Sequence, residues 1–359
     1  MEIRSLRAPE LEQAWELDRD AFHVKPAGRE GFVRLDPARA IGTFEGERLI
    51  ALCFTHPLAQ HFGGRAVPMG GLASVAVVPD RRGEGLATRV CRESLHAMRA
   101  RGEVISTLYP ASTGLYRKLG WEVAGFYVWH KLAPGALHAL PAPERKAVRP
   151  ASLAVLANLR ACYDRVAPSM PGSLARDDAW WDRLAGFWQP HSRYVATDER
   201  GEVEGYVIYE QLDGEYSVLG GPRRLFVREI VAATRDAALA LWRLLGTWSS
   251  QVSALYLIGP VDDGLLLLAP EQELQVLAQT RWMTRVVDAA AAVAMRGYAE
   301  GVEIEVPLAL DDPVLPENEG SYVLRISKGQ GELARSSRAG ADAPQLAIGG
   351  FASLYTGFA

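Results

Sequence analysis

The sequence predicts a mixed α/β protein built from two copies of one fold and a smaller α+β domain. Its 359 residues exceed the size of a single typical domain. The first 132 residues give the order helix, hairpin, strand, helix, strand, and the same order returns from about Ala151. We therefore expect domains at 1–132, 133–281 and 282–359.

The first domain is read from apolar spacing and turn residues. Pro9 precedes a helical stripe of Leu11, Ala14, Leu17 and Phe22. A hairpin is expected around Glu45-Gly46-Glu47, between strands Ala40–Phe44 and Leu49–Phe54. The later elements are a strand, a helix, a strand, a short helix and a strand, at Gly70–Val78, Gly85–Arg99, Val104–Tyr109, Gly114–Leu119 and Val123–Trp129.

The remaining two domains are read in the same way. Ala133–Pro150, rich in Pro, Ala and charge, is expected to be a linker plus the lead-in to the second domain. The second domain repeats the order of the first, and its tryptophans Trp180, Trp181 and Trp188 are expected to pack in a core. From Trp282 the sequence predicts an Ala-rich helix to Tyr298 and a small sheet that includes Val302–Val306 and Tyr322–Ile326.

Composition excludes several classes of protein. A net charge of −4 argues against nucleic acid as a partner. No apolar run reaches the roughly 18 residues that span a membrane, and the N-terminus shows no signal peptide. Cys53, Cys91 and Cys162 are scattered, without metal-ligand spacing. We expect a cytoplasmic protein with no metal and no membrane partner.

The segment LASVAVVPDRRGEGLATRV, from Leu72 to Val90, carries the chemistry. Arg82, Gly85 and Ala87 fit the pattern R-x-x-G-x-A between a β-run that ends at Pro79 and an amphipathic helix. A glycine loop entering a helix N-terminus offers backbone N–H groups and a positive dipole end to phosphate. A plain strand-loop-helix with turn glycines is the alternative. The patterns of a Rossmann site and of a Walker A loop are absent.

This segment resembles the GNAT acetyltransferase superfamily, which implies acetyl-CoA as co-substrate. The resemblance implies that the backbone of Val75, Ala76 and Val77 pairs with pantetheine as an added strand would. It also implies that the loop holds the pyrophosphate through Arg82, Gly83, Glu84, Gly85, Leu86, Ala87 and Thr88. Glu84 is expected to point to solvent, and Arg81 is a second candidate for contacts with phosphate.

A second motif runs from Tyr109 to Glu122 and resembles the Y-x-[KR]-x-G-[FYW] segment of the same superfamily. The resemblance makes Tyr116 the candidate general acid that protonates the departing thiolate. A packing tyrosine on a short helix is the alternative. Leu119 and Trp121 are expected in the core, and the resemblance places Ala111 and Ser112 beside the CoA arm.

Over essentially its whole length the chain resembles the Eis-type acetyltransferases, in which an active GNAT domain and a degenerate GNAT-like domain precede a sterol-carrier-protein-like domain. The resemblance rests on the two motifs, the Trp180-Trp181 pair and the closing Gly349-Gly-Phe-Ala-Ser-Leu-Tyr-Thr-Gly. The second copy, LFVREIVAATRDA at Leu225–Ala237, has no glycine loop, so it is expected to serve as scaffold and pocket wall. The resemblance implies a homo-oligomer, a hexamer, that acetylates amines.

The acceptor and the base stay open at this point. The acceptor is a small-molecule amine, aminoglycoside-like or polyamine, or a protein lysine, and a non-catalytic CoA- or lipid-binding protein is a third hypothesis. Its pocket is expected to include loops His23–Glu30 and His56–Gly64. The resemblance makes the terminal carboxylate, here Ala359, the base, but the family usually continues for a few tens of residues. Either the chain is naturally short or its true end is missing. The internal alternatives are Glu12, Asp18, Asp20, His56 and His61.

Overall fold

A computed structural model of the chain describes residues 1–25, 28–32, 34–144, 147–212, 223–260, 274–336 and 343–358. The chain divides into two compact units. The first comprises Met1–Gly125, Pro171–Leu174 and the chain from Trp282 onward, and the second comprises Phe126–Met170 and Ala175–Arg281. Among the described residues, no helix is both long enough and apolar enough to cross a membrane.

The N-terminal part of the first unit is a sheet with helices on both faces. Its strands follow the order β1-β2-β3-β4-β5, antiparallel except for the parallel pair β4 and β5. The elements are β1 (Glu2–Ser5), α1 (Leu11–Phe22), α2 (Arg29–Phe32), β2 (Ala40–Glu45), β3 (Arg48–Phe62), β4 (Arg65–Val77), α3 (Leu86–Ala100), β5 (Ile105–Leu108), α4 (Thr113–Arg117) and β6 (Glu122–Leu132), whose residues from 126 on belong to the second unit.

The two faces of this sheet bury separate apolar clusters. The α1 cluster takes Leu52 and Phe54 from β3, and the α3 cluster takes Ala51 and Cys53 from the same strand. Side chains that alternate along a strand point to opposite faces. Helices α1 and α3 therefore pack on opposite faces of the sheet. The predicted hairpin is confirmed, with Gly46 at φ +60° between β2 and β3.

The second unit repeats this plan. Its strand order is β6-β12-β11-β10-β9-β7, and the β11–β12 pair is parallel, as β4–β5 is. The repeat read from element order is confirmed, since helix α7 joins that parallel pair as α3 joins β4 to β5. The elements are β7 (Ala147–Pro150), α5 (Leu156–Val166), β8 (Leu174–Ala175), α6 (Asp178–Trp188), β9 (Ser192–Thr197), β10 (Val203–Leu212), β11 (Arg223–Ala232), α7 (Arg235–Gly246), β12 (Val252–Gly259) and β13 (Gln275–Val286), of which β8 and β13 run across a unit boundary.

Of the linker and the lead-in to the second unit expected at Ala133–Pro150, the linker is wrong and the lead-in is confirmed. Leu137 and Leu140 are buried in the core of the second unit, and Ala147–Pro150 pairs with β9. Proline limits the backbone conformations of a segment, but it does not prevent the apolar side chains of the segment from packing. The tryptophan prediction is confirmed for Trp181 and Trp188, which are both 2% exposed.

The C-terminal part of the first unit is α+β, as expected. Its elements are α8 (Ala289–Met295), β14 (Ile304–Asp311), β15 (Gly320–Ser327), β16 (Gln330–Arg335), β17 (Gln345–Ala347) and α9 (Ile348–Thr356). The sheet order is β16-β15-β14-β17. Sequence reasoning missed β16 and α9. Gly349 and Gly350 disfavour a helix by themselves, but α9 buries Ile348, Phe351 and Tyr355.

Candidate active site

The site is built around a gap between β4 and β5. The parallel ladder joins Met69–Gly71 to Ile105–Thr107 and ends there, although β4 continues to Val77. Within the described part of the chain, residues 72–77 of β4 therefore pair with β3 alone. The edge that faces away from β3 has backbone groups available to an extended ligand. Val75, Ala76 and Val77, the residues predicted to contact pantetheine, lie on this edge.

A β-bulge lies in the same stretch of β4. Leu52 is opposite Ala76 and Phe54 is opposite Ala73, so β4 has one residue more than β3 in this interval. Ser74 takes up the irregularity with φ +53°, which is uncommon for a residue with a side chain. Bulges are frequent beside active sites, where they redirect backbone and side chains. The bulge directly precedes Val75, Ala76 and Val77, whose backbone is predicted to pair with pantetheine.

The loop after β4 has the geometry of a phosphate cradle. Gly83 and Gly85 have φ +87° and +75°, and a Cβ added at either would meet no atom within 4 Å. Left-handed backbone with open space above it lets a bulky anion approach the amides closely. Gly85 is the N-cap of α3, and the first helical bond runs from Arg89 N–H to Gly85 O at 3.2 Å. The amides of Leu86, Ala87 and Thr88 precede that bond and point out of the helix end.

The two arginines of the loop, Arg81 and Arg82, differ in the contacts that their side chains make. Arg81 donates to both carboxylate oxygens of Glu45 at 2.8 Å and forms an ion pair with Glu84 at 2.8 Å. Arg82 is exposed and donates from Nε to Val77 O at 3.3 Å. Arg82 therefore has its guanidinium in solvent at the cradle, whereas Arg81 is neutralised by two carboxylates. The Glu84 side chain is 41% exposed, as expected.

Tyr116 lies in the apolar cluster under α3, together with Leu72, Leu119 and Trp121. It is 6% exposed, and its ring meets the Trp121 ring edge-on with centroids 6.0 Å apart. Burial raises the pKa of its phenol well above the ordinary value for tyrosine. A phenol in this environment keeps its proton at neutral pH. Leu119 and Trp121 are fully buried, as predicted.

The residues that lead into α4 are open to solvent. Ala111 and Ser112 are both exposed, and Ser112 is the N-cap of α4 without a side-chain capping bond. This position is compatible with the predicted contact with the CoA arm.

The candidate bases are distributed over three places. Glu12 and Asp20 are exposed and form ion pairs with Arg29 and Arg19, whereas Asp18 is buried. His56 and His61 were expected in a loop, and this is wrong: both lie in β3, opposite Gly71 and Ala66. Alternating apolar residues extend that strand to Phe62. Ala359 lies outside the described residues.

The second unit carries a different helix N-terminus at the corresponding place. Thr234 caps α7, since its hydroxyl accepts from Ala237 N–H at 3.2 Å. The same hydroxyl donates to Glu204 at 3.1 Å. A side-chain cap and a neighbouring carboxylate both compete with a phosphate at a helix N-terminus. This arrangement supports the expectation that the second copy is a scaffold.

A buried ion pair that the sequence did not indicate supports the Tyr116 segment. Arg285 donates from Nη2 to both oxygens of Asp312 at 2.6 and 2.7 Å, and from Nε to Leu119 O at 2.8 Å. Both side chains are 0% exposed. The carbonyl of Tyr116 in turn accepts from Leu119 N–H at 2.9 Å. Arg285 and Asp312 are 27 residues apart, and no local pattern marks such a pair.

Comparisons with known proteins divide the chain into the same three parts that the sequence predicts. Models of acetyltransferase (GNAT) domains match residues 2–124 and 172–286, and a sterol carrier protein domain model matches 289–359. A crystal structure of a GCN5-related N-acetyltransferase from Kribbella flavida superimposes with TM-score 0.84 and 30% identity, covering 99% of this chain and 88% of that one. The chain belongs to the GCN5-related N-acetyltransferases. A member of this family from Anabaena variabilis gives TM-score 0.88 and 28% identity, covering 99% of this chain and 89% of that one.

The branch of the family is shown as well. The N-acetyltransferase Eis of Mycobacterium tuberculosis is 27% identical over 311 residues, which are 80% of this chain and 71% of that protein. Two GNAT domains followed by a sterol carrier protein domain complete the Eis-type arrangement. The chain is therefore an Eis-type N-acetyltransferase, and acetyl-CoA is the acetyl donor that GNAT domains use. The predicted fold class, tandem GNAT folds followed by a sterol-carrier-protein-like domain, is confirmed.

Proposed function

We propose that the chain transfers the acetyl group of acetyl-CoA to an amine of a small molecule, aminoglycoside-like or polyamine, by direct attack. One observation carries the proposal. The stretch of β4 that parts from β5 runs directly into a glycine loop at the N-terminus of α3, and the buried Tyr116 packs in the apolar cluster under that helix. Adjacent parts of one unit would thereby bind the thioester and the diphosphate of acetyl-CoA and supply a proton donor.

Donor binding uses mainly backbone. We assign the pantetheine arm to the free edge of β4 at Val75, Ala76 and Val77, with Ala111 and Ser112 on the other side of the gap. The pyrophosphate is assigned to the segment from Arg82 to Thr88, where backbone amides and the Arg82 guanidinium supply hydrogen bonds and positive charge. A Cβ added at Gly83 or Gly85 would meet no atom within 4 Å, so the space above both residues is open to the pyrophosphate.

Tyr116 supplies the proton on the donor side. The amine nitrogen attacks the thioester carbonyl, the carbon–sulfur bond breaks, and the Tyr116 phenol gives its proton to the sulfur as it leaves. A phenol with a raised pKa is protonated whenever the amine is free to attack. Because it is protonated, the sulfur leaves as a neutral thiol. A charged thiolate beside the apolar cluster would be costly.

The test is Tyr116→Phe, with Tyr355→Phe as the matched control. Tyr355 is 4% exposed in the same unit, and its hydroxyl donates to Ala292 O at 3.3 Å, away from the cradle. We expect Tyr116→Phe to lower kcat by about 10²- to 10⁴-fold, the usual contribution of one acid–base group, with unchanged affinity for acetyl-CoA. Tyr355→Phe should turn over like the wild type. Equal turnover of wild type and Tyr116→Phe would overturn the assignment.

Three further statements about the whole protein are also proposals. We propose that the chain has domains at 1–132, 133–281 and 282–359. We also propose, from the resemblance to Eis-type enzymes, that it forms a homo-hexamer and is located in the cytoplasm. Light scattering on the purified protein measures the assembly directly, and a mass other than six chains would contradict the hexamer.

A further inference from the structure

The ion pair of Arg285 and Asp312 is buried more completely than stability requires. Within the part of the chain that the structure describes, it is the one ion pair whose two side chains are both 0% exposed. A buried pair of this kind can often be replaced by apolar residues of similar volume without loss of stability. Both residues belong to the same compact unit as Tyr116. The pair therefore calls for a role other than stability.

Asp312 fixes the orientation of the Arg285 guanidinium. Its two oxygens accept from Nη2 of Arg285 at 2.6 and 2.7 Å. The same carboxylate accepts from the N–H groups of Val314 and Leu315 at 3.2 and 3.1 Å, and from Nδ2 of Asn318 at 2.8 Å. A carboxylate held by this many donors does not turn, and a charge-assisted pair that uses both of its oxygens adds geometric specificity. The direction in which Nε of Arg285 points is fixed as a result.

Nε of Arg285 points at the turn that follows α4. It donates to Leu119 O at 2.8 Å. In that turn the N–H groups of Leu119 and Trp121 both donate to Tyr116 O, at 2.9 and 3.2 Å. Gly120 has φ +85°, and a Cβ added there would lie 2.8 Å from Nε of Arg285. The turn thus lies directly against the guanidinium, and the backbone of Tyr116 is hydrogen-bonded within it.

The other side of Arg285 leads to the point where β4 and β5 part. Arg285 lies in β13 opposite Ser106 of β5. The Ser106 hydroxyl donates to Gly70 O of β4 at 2.8 Å, and the parallel ladder between β4 and β5 ends one residue later, at Gly71. Arg285 therefore connects the turn that carries Tyr116 to the strands that form the gap.

We propose that Arg285 is a positioning residue for acetyl transfer. Its guanidinium, oriented by Asp312, fixes the turn after α4 and so holds the Tyr116 phenol at the place where the sulfur leaves. The inference rests on the function proposed above, in which Tyr116 protonates that sulfur. Arg285 exchanges no proton and contacts neither acetyl-CoA nor the amine. A misplacement of a reacting group by about 1 Å can cost roughly 100-fold in rate, so a loosened turn should lower kcat.

The experiment uses the double variant Arg285→Met, Asp312→Leu in the full chain. It leaves no unpaired buried charge, so much of the stability should be retained, but it has no donor for Leu119 O. With an amine that the wild type acetylates, we expect kcat to fall about 10- to 100-fold. The Kd for acetyl-CoA, measured by calorimetry, should stay within about twofold, because the glycine loop is untouched. A merely structural pair predicts instead that kcat recovers together with stability.

Arg99→Met is the matched control. Arg99 reaches the same buried group of residues, since it donates to Val287 O at 2.7 Å and to Asn318 Oδ1 at 3.3 Å. These bonds run to Val287 and Asn318 and not to the turn after α4. Its loss should therefore reduce stability but leave kcat within about twofold. A fall in kcat as large as that of the double variant would overturn the proposal.

A double-mutant cycle with Tyr116→Phe tests whether Arg285 acts through Tyr116. Added to Tyr116→Phe, the double variant should lower kcat by less than about twofold further, because no phenol remains to be misplaced. Fully additive losses, or a double variant with the kcat of the wild type, overturn the proposal.

A second variant keeps the proposal falsifiable if the double variant does not fold. Arg285→Lys retains a cation for Asp312 but has no Nε donor, so it should also lose kcat while acetyl-CoA binding is retained. A wild-type kcat in Arg285→Lys contradicts the proposal. If Tyr116→Phe alone turns over like the wild type, or if the wild type acetylates no amine, it is the proposed function that fails.

Discussion

Replacement of Gly85 by alanine separates the binding role of the glycine loop from its backbone strain. Gly85 has φ +75° and lies at the N-terminus of α3. Gly102 has the same φ, +75°, just beyond the C-terminus of the same helix. A Cβ added at either position meets no atom within 4 Å. The two sites lie beyond opposite ends of a 15-residue helix, which is about 22 Å long at 1.5 Å rise per residue.

The expected losses of stability and of acetyl-CoA affinity follow from the matched backbone conformation of Gly85 and Gly102. Each Ala variant places a side chain in left-handed backbone and should lose about 1–2 kcal/mol of stability. Only Gly85→Ala puts a methyl group where the diphosphate approaches the amides. The loss of one charge-assisted hydrogen bond, about 1.5–3 kcal/mol, corresponds to a roughly 10- to 100-fold weaker Kd for acetyl-CoA.

The assays are urea denaturation for stability and calorimetry for acetyl-CoA binding. We expect similar denaturation midpoints for both variants, and weakened binding for Gly85→Ala alone. If Gly102→Ala weakens binding as much as Gly85→Ala, the effect is transmitted through the helix and the cradle reasoning is wrong. If neither variant weakens binding, the diphosphate does not lie at Gly85.

The other predictions concern charge and pH. Gly85→Glu should abolish acetyl-CoA binding, because it adds bulk and a negative charge to the cradle; binding by this variant in calorimetry would contradict the assignment. Asp312→Ala should lower the free energy of unfolding by about 3–5 kcal/mol in urea, because Arg285 stays buried without its counter-charge, whereas the double variant Arg285→Met, Asp312→Leu should recover much of that loss. A cost below 1 kcal/mol for the single variant would show that Arg285 finds another partner. Because burial raises the pKa of Tyr116, its contribution to stability is present below its unfolded pKa near 10 and is lost as the pH rises through its folded pKa. Turnover should therefore show no alkaline fall from Tyr116 below pH 10, and a fall centred near pH 8 that vanishes in Tyr116→Phe would contradict this.

The glycine loop before α3 could be predicted from sequence because its residues are close together in the chain. Arg82, Gly85 and Ala87 lie within six residues, and the strand before them and the helix after them are both marked by periodicity. Positive φ at Gly83 and Gly85 is what glycine in such a loop indicates. The repeat of the first domain was also predictable, since element order persists when residue identity does not.

Several other features of the structure could not be predicted, because they depend on tertiary packing. Ser74 adopts φ +53° without any local signal, because the register of β3 against β4 imposes it. Asp18 is one of four carboxylates on α1, and only the packed helix shows that it is buried. Arg285 and Asp312 meet through folding of distant segments. Helix α9 forms despite two glycines, because its apolar face is buried.

Acetyl-CoA-dependent release of free thiol, measured together with the mass of the amine product, tests the central claim most directly. The wild-type chain is mixed with acetyl-CoA and a panel of aminoglycosides, polyamines and a lysine peptide. We predict thiol release that requires an amine, an acetylated small-molecule product, and loss of both in Gly85→Glu. Acetylation of the peptide alone would reassign the acceptor to protein lysine. Absence of thiol release with every amine, together with no binding of acetyl-CoA, would contradict the account.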